Sequence, residues 1–179
     1  MTTTRSADTA ARLAKEFDES FGRPIATDRE KREDLLAIRA GDAHLAVRAL
    51  ETAGITRCPP LAFMPSGNAA FRGLAGVRGT LAAVFDIGAL TLVGERHPSA
   101  PTGWIVLCVT DKTVALLFDE LVGYESVASS AIHTAESPEP GAPTRQVVEL
   151  GGVNRAVVSI AELLETIRRT APGGTSKER

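Results

Sequence analysis

The chain has 179 residues, a formal net charge of −2, 44% hydrophobic residues and 23% charged residues. These are the proportions of one ordinary globular domain, or of two small subdomains sharing one packed unit, and a chain of this size buries roughly 70% of its unfolded surface. Near-neutral charge argues against nucleic acid as the main partner, which wants a concentrated basic face. No apolar stretch approaches the ~18 residues of a bilayer span, so no membrane insertion is expected.

The start, MTTTRSADTAARLAKEF, is polar and has no apolar signal-peptide centre, which reads as a cytoplasmic protein. Residues 1–33 form a charged leader in which Leu13, Phe17 and Phe21 recur every fourth position, the stripe of an amphipathic helix. Gly22 and Pro24 stop it. From Asp34 to about residue 170 strand signals come at short intervals. Leu35 to Ala40 is apolar, Gly41-Asp42 turns, and Ala43 to Val47 returns. Arg48 to Ala53 reads as a short helical bridge. Cys58-Pro59-Pro60 is extended, because consecutive prolines forbid helix. Ser66-Gly67-Asn68 is a loop. Phe71 to Val77 and Thr80 to Asp86 flank Arg78-Gly79 as a hairpin, with Leu81, Ala83 and Phe85 on one face.

Asp86 is placed to cap a short helix running to Val93. Residues 94–103 are a polar link, taken as the boundary between subdomains of about 34–93 and 103–170. Trp104 to Val109 is nearly all apolar, the mark of a strand covered on both faces. Asp111-Lys112 turns into Val114 to Phe118, and a short strand follows near Leu121 to Ser126. Ser137 to Pro143 is a flexible loop. Gln146 to Leu150 and Arg155 to Ser159 make a last hairpin about Gly151-Gly152. Ile160 to Arg169 closes as a helix, and a tail over 171–179 is expected to be disordered. About ten short strands with few helices indicate a mainly β fold of antiparallel barrels or sandwiches.

The chemistry-bearing residues form no familiar constellation. His44, His97 and His133 are scattered, and Cys58 and Cys108 do not form CxxC, so no metal and no cofactor is expected. The two thiols read as buried and reduced. Ser66 lies in a turn without a recognisable base, and GxSxG is absent. GLAGVRG (Gly73, Gly76, Gly79) matches neither the dinucleotide nor the phosphate loop, and a strand rather than a helix follows it. Asp119 and Glu120 are adjacent on a strand end and would face opposite sides. No enzyme is expected.

Four stretches in this order resemble the CheW family of chemotaxis coupling proteins: LLAIRAGDAHLAV, FRGLAGVRGTLAAVFDIGAL, WIVLCVTDKTVALLFDELVGY and ELGGVNRAVVSIAELLETI. Gly73, Arg78, Gly79, Asp86 and Asp119 occupy matching positions. The resemblance implies two intertwined five-stranded β-barrels with a hydrophobic core between them. It also implies a non-catalytic adaptor joining a chemoreceptor's cytoplasmic tip to the regulatory domain of the histidine kinase CheA. Arg78 would then be the polar anchor of a receptor groove, with Val77 and Gly79 shaping its turn; Phe71 could be core or contact. Three positions depart from the family pattern. Gly76 replaces its asparagine, Thr52-Ala53-Gly54-Ile55 lacks its acidic residue, and Ser159-Ile160 replaces its closing D-apolar pair. Thr52, Ile55 and Gly76 therefore mark an interface that has changed, and one usual partner, the kinase first, is a candidate for loss. The rival expectation of another class is a small β-barrel enzyme or ligand-binding module, which would show a deep pocket lined by convergent polar groups.

Overall fold

The computed structural model describes residues 31–91, 103–135 and 144–170. Contacts group the chain into two units, Met1–Lys31 and Arg32–Arg179, and the β-structure lies in the second. The described elements run β1 (Arg32–Ala40), β2 (Ala43–Arg48), β3 (Thr52–Arg57), β4 (Phe71–Val77), β5 (Thr80–Asp86), α1 (Ile87–Thr91), β6 (Trp104–Cys108) and β7 (Val114–Phe118). After them come β8 (Glu120–Ala128), β9 (His133–Thr134), β10 (Thr144–Leu150), β11 (Val153–Val158) and α2 (Ile160–Thr170). The strands form two mixed sheets, ordered β8-β1-β2-β11-β10-β9 and β3-β6-β7-β5-β4. Each contains one parallel pair, β11 with β2 and β5 with β7.

The sheets do not follow chain order. The first takes β1 and β2 from before residues 94–103 and β8 to β11 from after them; the second takes β3 to β5 from before and β6 and β7 from after. A cut at that link therefore separates lengths of chain and not sheets, which is the intertwining that the resemblance implies. The first sheet also carries a sixth strand, the two-residue β9.

Three apolar clusters explain the sequence pattern. Leu35, Ala37, Ala46, Val148, Leu150 and Val157 fill the interior of the first sheet. Ala75, Val77, Ala82, Val84, Ile105, Leu107, Ala115 and Leu117 fill the interior of the second. The opposite faces, including Leu36, Ile38, Leu45, Phe85, Val106, Leu116 and Phe118, meet in a larger core between the sheets. β6 and β7 contribute alternate residues to two cores, so they read as unbroken apolar runs. β8 is an outer strand paired with β1 and alternates instead between exposed and half-buried positions. α2 seals the central core with Ile160, Leu163, Leu164 and Ile167. Its first turn is satisfied twice: the Ile160 N–H donates to Glu51 Oε2 at 2.7 Å, and the Glu162 N–H to Ser159 Oγ at 3.4 Å.

The expected helical bridge over Arg48 to Ala53 is a single 3-10 turn, Ala49–Glu51, and from Thr52 the chain is strand. The reason is tertiary: Thr52 pairs with Cys108 and Arg57 with Trp104, so β6 recruits a segment with weak local preference. The strand near Leu121 to Ser126 is longer at both ends, and β1 templates it from Arg32 to Arg39. The leader stripe, Val93, His97, the loop over 137–143 and the tail over 171–179 lie outside the described residues.

Candidate protein-binding cleft

The β4–β5 hairpin is held in register from Val77↔Thr80 to Phe71↔Phe85, with a bulge between Phe71 and Gly73. Arg78 and Gly79 alone make its turn, with φ of 50° and 77°. Two left-handed residues match the right-handed twist of the flanking strands, the geometry of a type I′ turn. Arg78 is the one non-glycine among the described residues with positive φ.

β3 and β4 are the two edges of their sheet. The Arg78 side chain leaves the β4–β5 turn and reaches β3, where Nη1 makes a long 3.5 Å contact to the Ala53 carbonyl oxygen. Gly54 there sits at a β-bulge with φ of 150°. A Cβ on Gly54 would stand 3.0 Å from both terminal nitrogens of Arg78, so the missing side chain is what admits the guanidinium. The middle of β4's outer edge is paired at one position, where Ala62 exchanges two hydrogen bonds with Leu74 at 2.8 and 2.9 Å. Phe63 and Met64, next in that segment, face solvent.

Between these edges lies an open cleft of about 220 Å³, lined by Ile55, Thr56, Arg57, Pro59, Gly76, Val77 and Arg78. Arg57 lies over the Trp104 ring, its guanidinium carbon 4.2 Å from the centroid, a cation–π contact across the β3–β6 pair. Val77 is buried and belongs also to the interior cluster, whereas Gly76 is exposed, and a Cβ added to it would meet nothing within 4 Å. Leu81, paired with Gly76, is 62% exposed and continues the face on which Ala83 and Phe85 enter the central core.

Of the residues singled out in the sequence, Arg78, Val77, Gly76 and Ile55 come together at this cleft. Gly79 stays in the turn beside it. Thr52 is set apart, at the far end of β3, where its hydroxyl donates to the Ala49 carbonyl at 2.8 Å and closes the 3-10 turn. Phe71 packs edge-on against Phe85, ring centroids 5.3 Å apart, and belongs to the core. Arg57 and Gly54 are site residues that the sequence does not announce. A lone glycine, and an arginine just before Cys-Pro-Pro, carry no signal until β3 is known to be a strand.

The aligned acids have structural partners. Asp119 accepts the Gly41 N–H, and Glu120 pairs with Arg39 at 2.9 Å, so both brace the β1–β2 turn. Asp86 is buried and accepts the Ala89 N–H at 3.2 Å, capping α1. Burial pushes the Cys108 thiol up to about 12, with Asp111 and Glu51 adding to the shift, and burial also raises Cys58; neither is a thiolate at neutral pH. Asp111, whose carboxylate accepts both the Thr113 N–H and hydroxyl, shapes the turn into β7. A larger concavity of about 450 Å³ runs along α2, but four of its five charged lining residues pair with each other, Arg145 with Glu162 and Arg168 with Glu165, and the fifth, Arg169, donates to the Glu165 carbonyl and the Thr166 hydroxyl. Among the described residues no three metal-donor side chains are grouped to hold an ion, and no helix is long and apolar enough to cross a membrane.

Two small interlocked β-sheets with apolar cores, an exposed apolar edge and an arginine-flanked cleft define an interaction module. The CheW-like domain family model matches residues 34–168, and the chain belongs to that family. The fold is similar to the crystal structure of the scaffolding protein TtCheW from Thermoanaerobacter tengcongensis, with a TM-score of 0.65 and 12% identity over 75% of this chain and 94% of that one. No curated protein matches the sequence.

Proposed function

We propose that the chain is a non-catalytic cytoplasmic adaptor that couples the tip of methyl-accepting chemoreceptors to the regulatory domain of a CheA-type histidine kinase, in a two-component pathway controlling motility. The observation that carries this reading is the family match across nearly the whole described body. The cleft supports it: its donors are held by β3 and by the β4–β5 turn, its walls include apolar Ile55, Pro59 and Val77, and at about 220 Å³ it is smaller than the ~300 Å³ at which small-molecule pockets begin. Arg78 is the anchor, and a few such residues dominate the energy of an interface of this kind.

The test is calorimetric titration with a receptor-tip fragment. Arg78→Ala weakens binding by about 1–3 kcal/mol while circular dichroism and melting stay those of the folded protein. An unchanged dissociation constant with an intact fold removes Arg78 from the interface; loss of fold makes it a structural residue.

A second reading keeps the receptor and drops the kinase. It is favoured by Gly54 and Gly76, two positions without side chains in the strands that flank the cleft. Titration with the kinase regulatory domain decides it: binding as tight as that of the receptor tip retires the idea of a lost interface.

A further inference from the structure

We propose that the cleft between β3 and β4 is a receptor for a side-chain carboxylate, presented by a protein segment that carries an apolar residue beside its Asp or Glu. This deepens the adaptor reading and rests on it in one respect, that the occupant is a protein.

The charge pattern points to the anion. Arg39, Arg48, Arg145 and Arg168 each have a carboxylate partner. Arg32, Arg155 and Arg169 donate instead to neutral oxygens of Ser126, Ile38, Glu165 and Thr166. Arg57 and Arg78 have no carboxylate partner among the described residues either, and they are the two that share a cleft, which contains no acid. Two cations facing one small space repel each other until an anion enters it, so complementarity there is left to the partner. The donors are also pre-set. Trp104 holds the face of Arg57, which leaves its N–H edge free, and the Gly54 bulge holds Arg78 against β3. A guanidinium fixed in this way offers a forked pair of N–H groups that matches both oxygens of a carboxylate, with less side-chain entropy to lose.

The apolar half of the partner follows from the surroundings. Ile55, Val77 and Pro59 wall the cleft, Gly76 leaves its floor open, and Leu81 stands exposed across the strand pair from Gly76. A segment that places Glu or Asp between the guanidiniums sets its neighbouring side chain on Leu81, whose exposed surface becomes buried.

The experiment is a carboxylate scan by calorimetry. The receptor-tip fragment and the kinase regulatory domain are each titrated into the full chain, with every Asp and Glu of the fragment replaced in turn by Asn or Gln. One replacement lowers affinity for the wild type about tenfold and has no further effect on the Arg57→Ala/Arg78→Ala variant. Gly76→Leu, which fills the cleft and leaves both arginines in place, lowers affinity comparably without shifting the melting temperature. Arg78→Glu loses binding and regains it with the partner's acid changed to Arg. A flat scan, or the same loss in the double-alanine variant, overturns the proposal and leaves the adaptor reading standing. If neither fragment binds the wild type, the adaptor reading falls and the proposal falls with it.

Discussion

Two hairpins of this protein end in the same way and differ in one residue. β10 and β11 turn through Gly151-Gly152, with φ of 57° and 75°; β4 and β5 turn through Arg78-Gly79, with φ of 50° and 77°. The two glycines take the left-handed region without steric penalty, whereas an arginine there costs about 1 kcal/mol. What differs is the surroundings. A side chain at Gly152 would meet nothing, and one at Gly151 only a Glu125 carboxylate oxygen at 3.8 Å. The side chain at Arg78 crosses from one edge of its sheet to the other and enters a cleft. Strain that a glycine would remove persists at the turn whose side chain has somewhere to go, and that locates the site more sharply than the turn's shape does.

The comparison breaks most heavily where the hairpins are anchored. Leu150 and Val77, the residues just before the two turns, are buried in separate interior cores. Leu150→Ala costs about 3 kcal/mol in urea denaturation, and Val77→Ala costs less because fewer buried atoms are removed. Next in size is Gly54→Ala. It forces a left-handed backbone on alanine and pushes the Arg78 guanidinium off β3, which lowers stability by about 2 kcal/mol and partner affinity in the same variant. Gly152→Ala isolates turn strain alone: about 1 kcal/mol of stability is lost, and receptor-tip binding measured by calorimetry is unchanged. The smallest effect on stability is the sharpest test. In Arg78→Gly, relief of strain and the greater freedom of the unfolded glycine oppose each other, so stability stays within about 0.5 kcal/mol while affinity falls. A large stability loss there would mean that Arg78 serves to close the sheet and not to bind.

Much of the fold is legible along the chain because the strong signals are local. The β4–β5 hairpin, the β1–β2 and β10–β11 turns, the doubly covered β6 and the closing helix each follow from turn residues and apolar period. β3 and β9 are not legible. Thr52 to Arg57 is held by its pairing with β6, and His133–Thr134 by two register positions on β10, and neither carries a pattern of its own. The site divides in the same way. Arg78 stands out as an arginine at a tight turn, whereas Arg57 and Gly54 acquire meaning only once β3 lies within reach of that turn. Thr52 belongs to the same stretch but is carried to the other end of the strand.

The sequence by itself determined the strands other than β3 and β9, the tight turns between them and the likeness to a family, because period and turn chemistry act over a few residues. Only the tertiary structure decided which strands share a sheet and which arginines face one cleft. Those outcomes depend on pairings between distant segments, such as Arg57 with Trp104 and the Arg78 side chain over Gly54, whose free energy comes from a partner elsewhere in the chain.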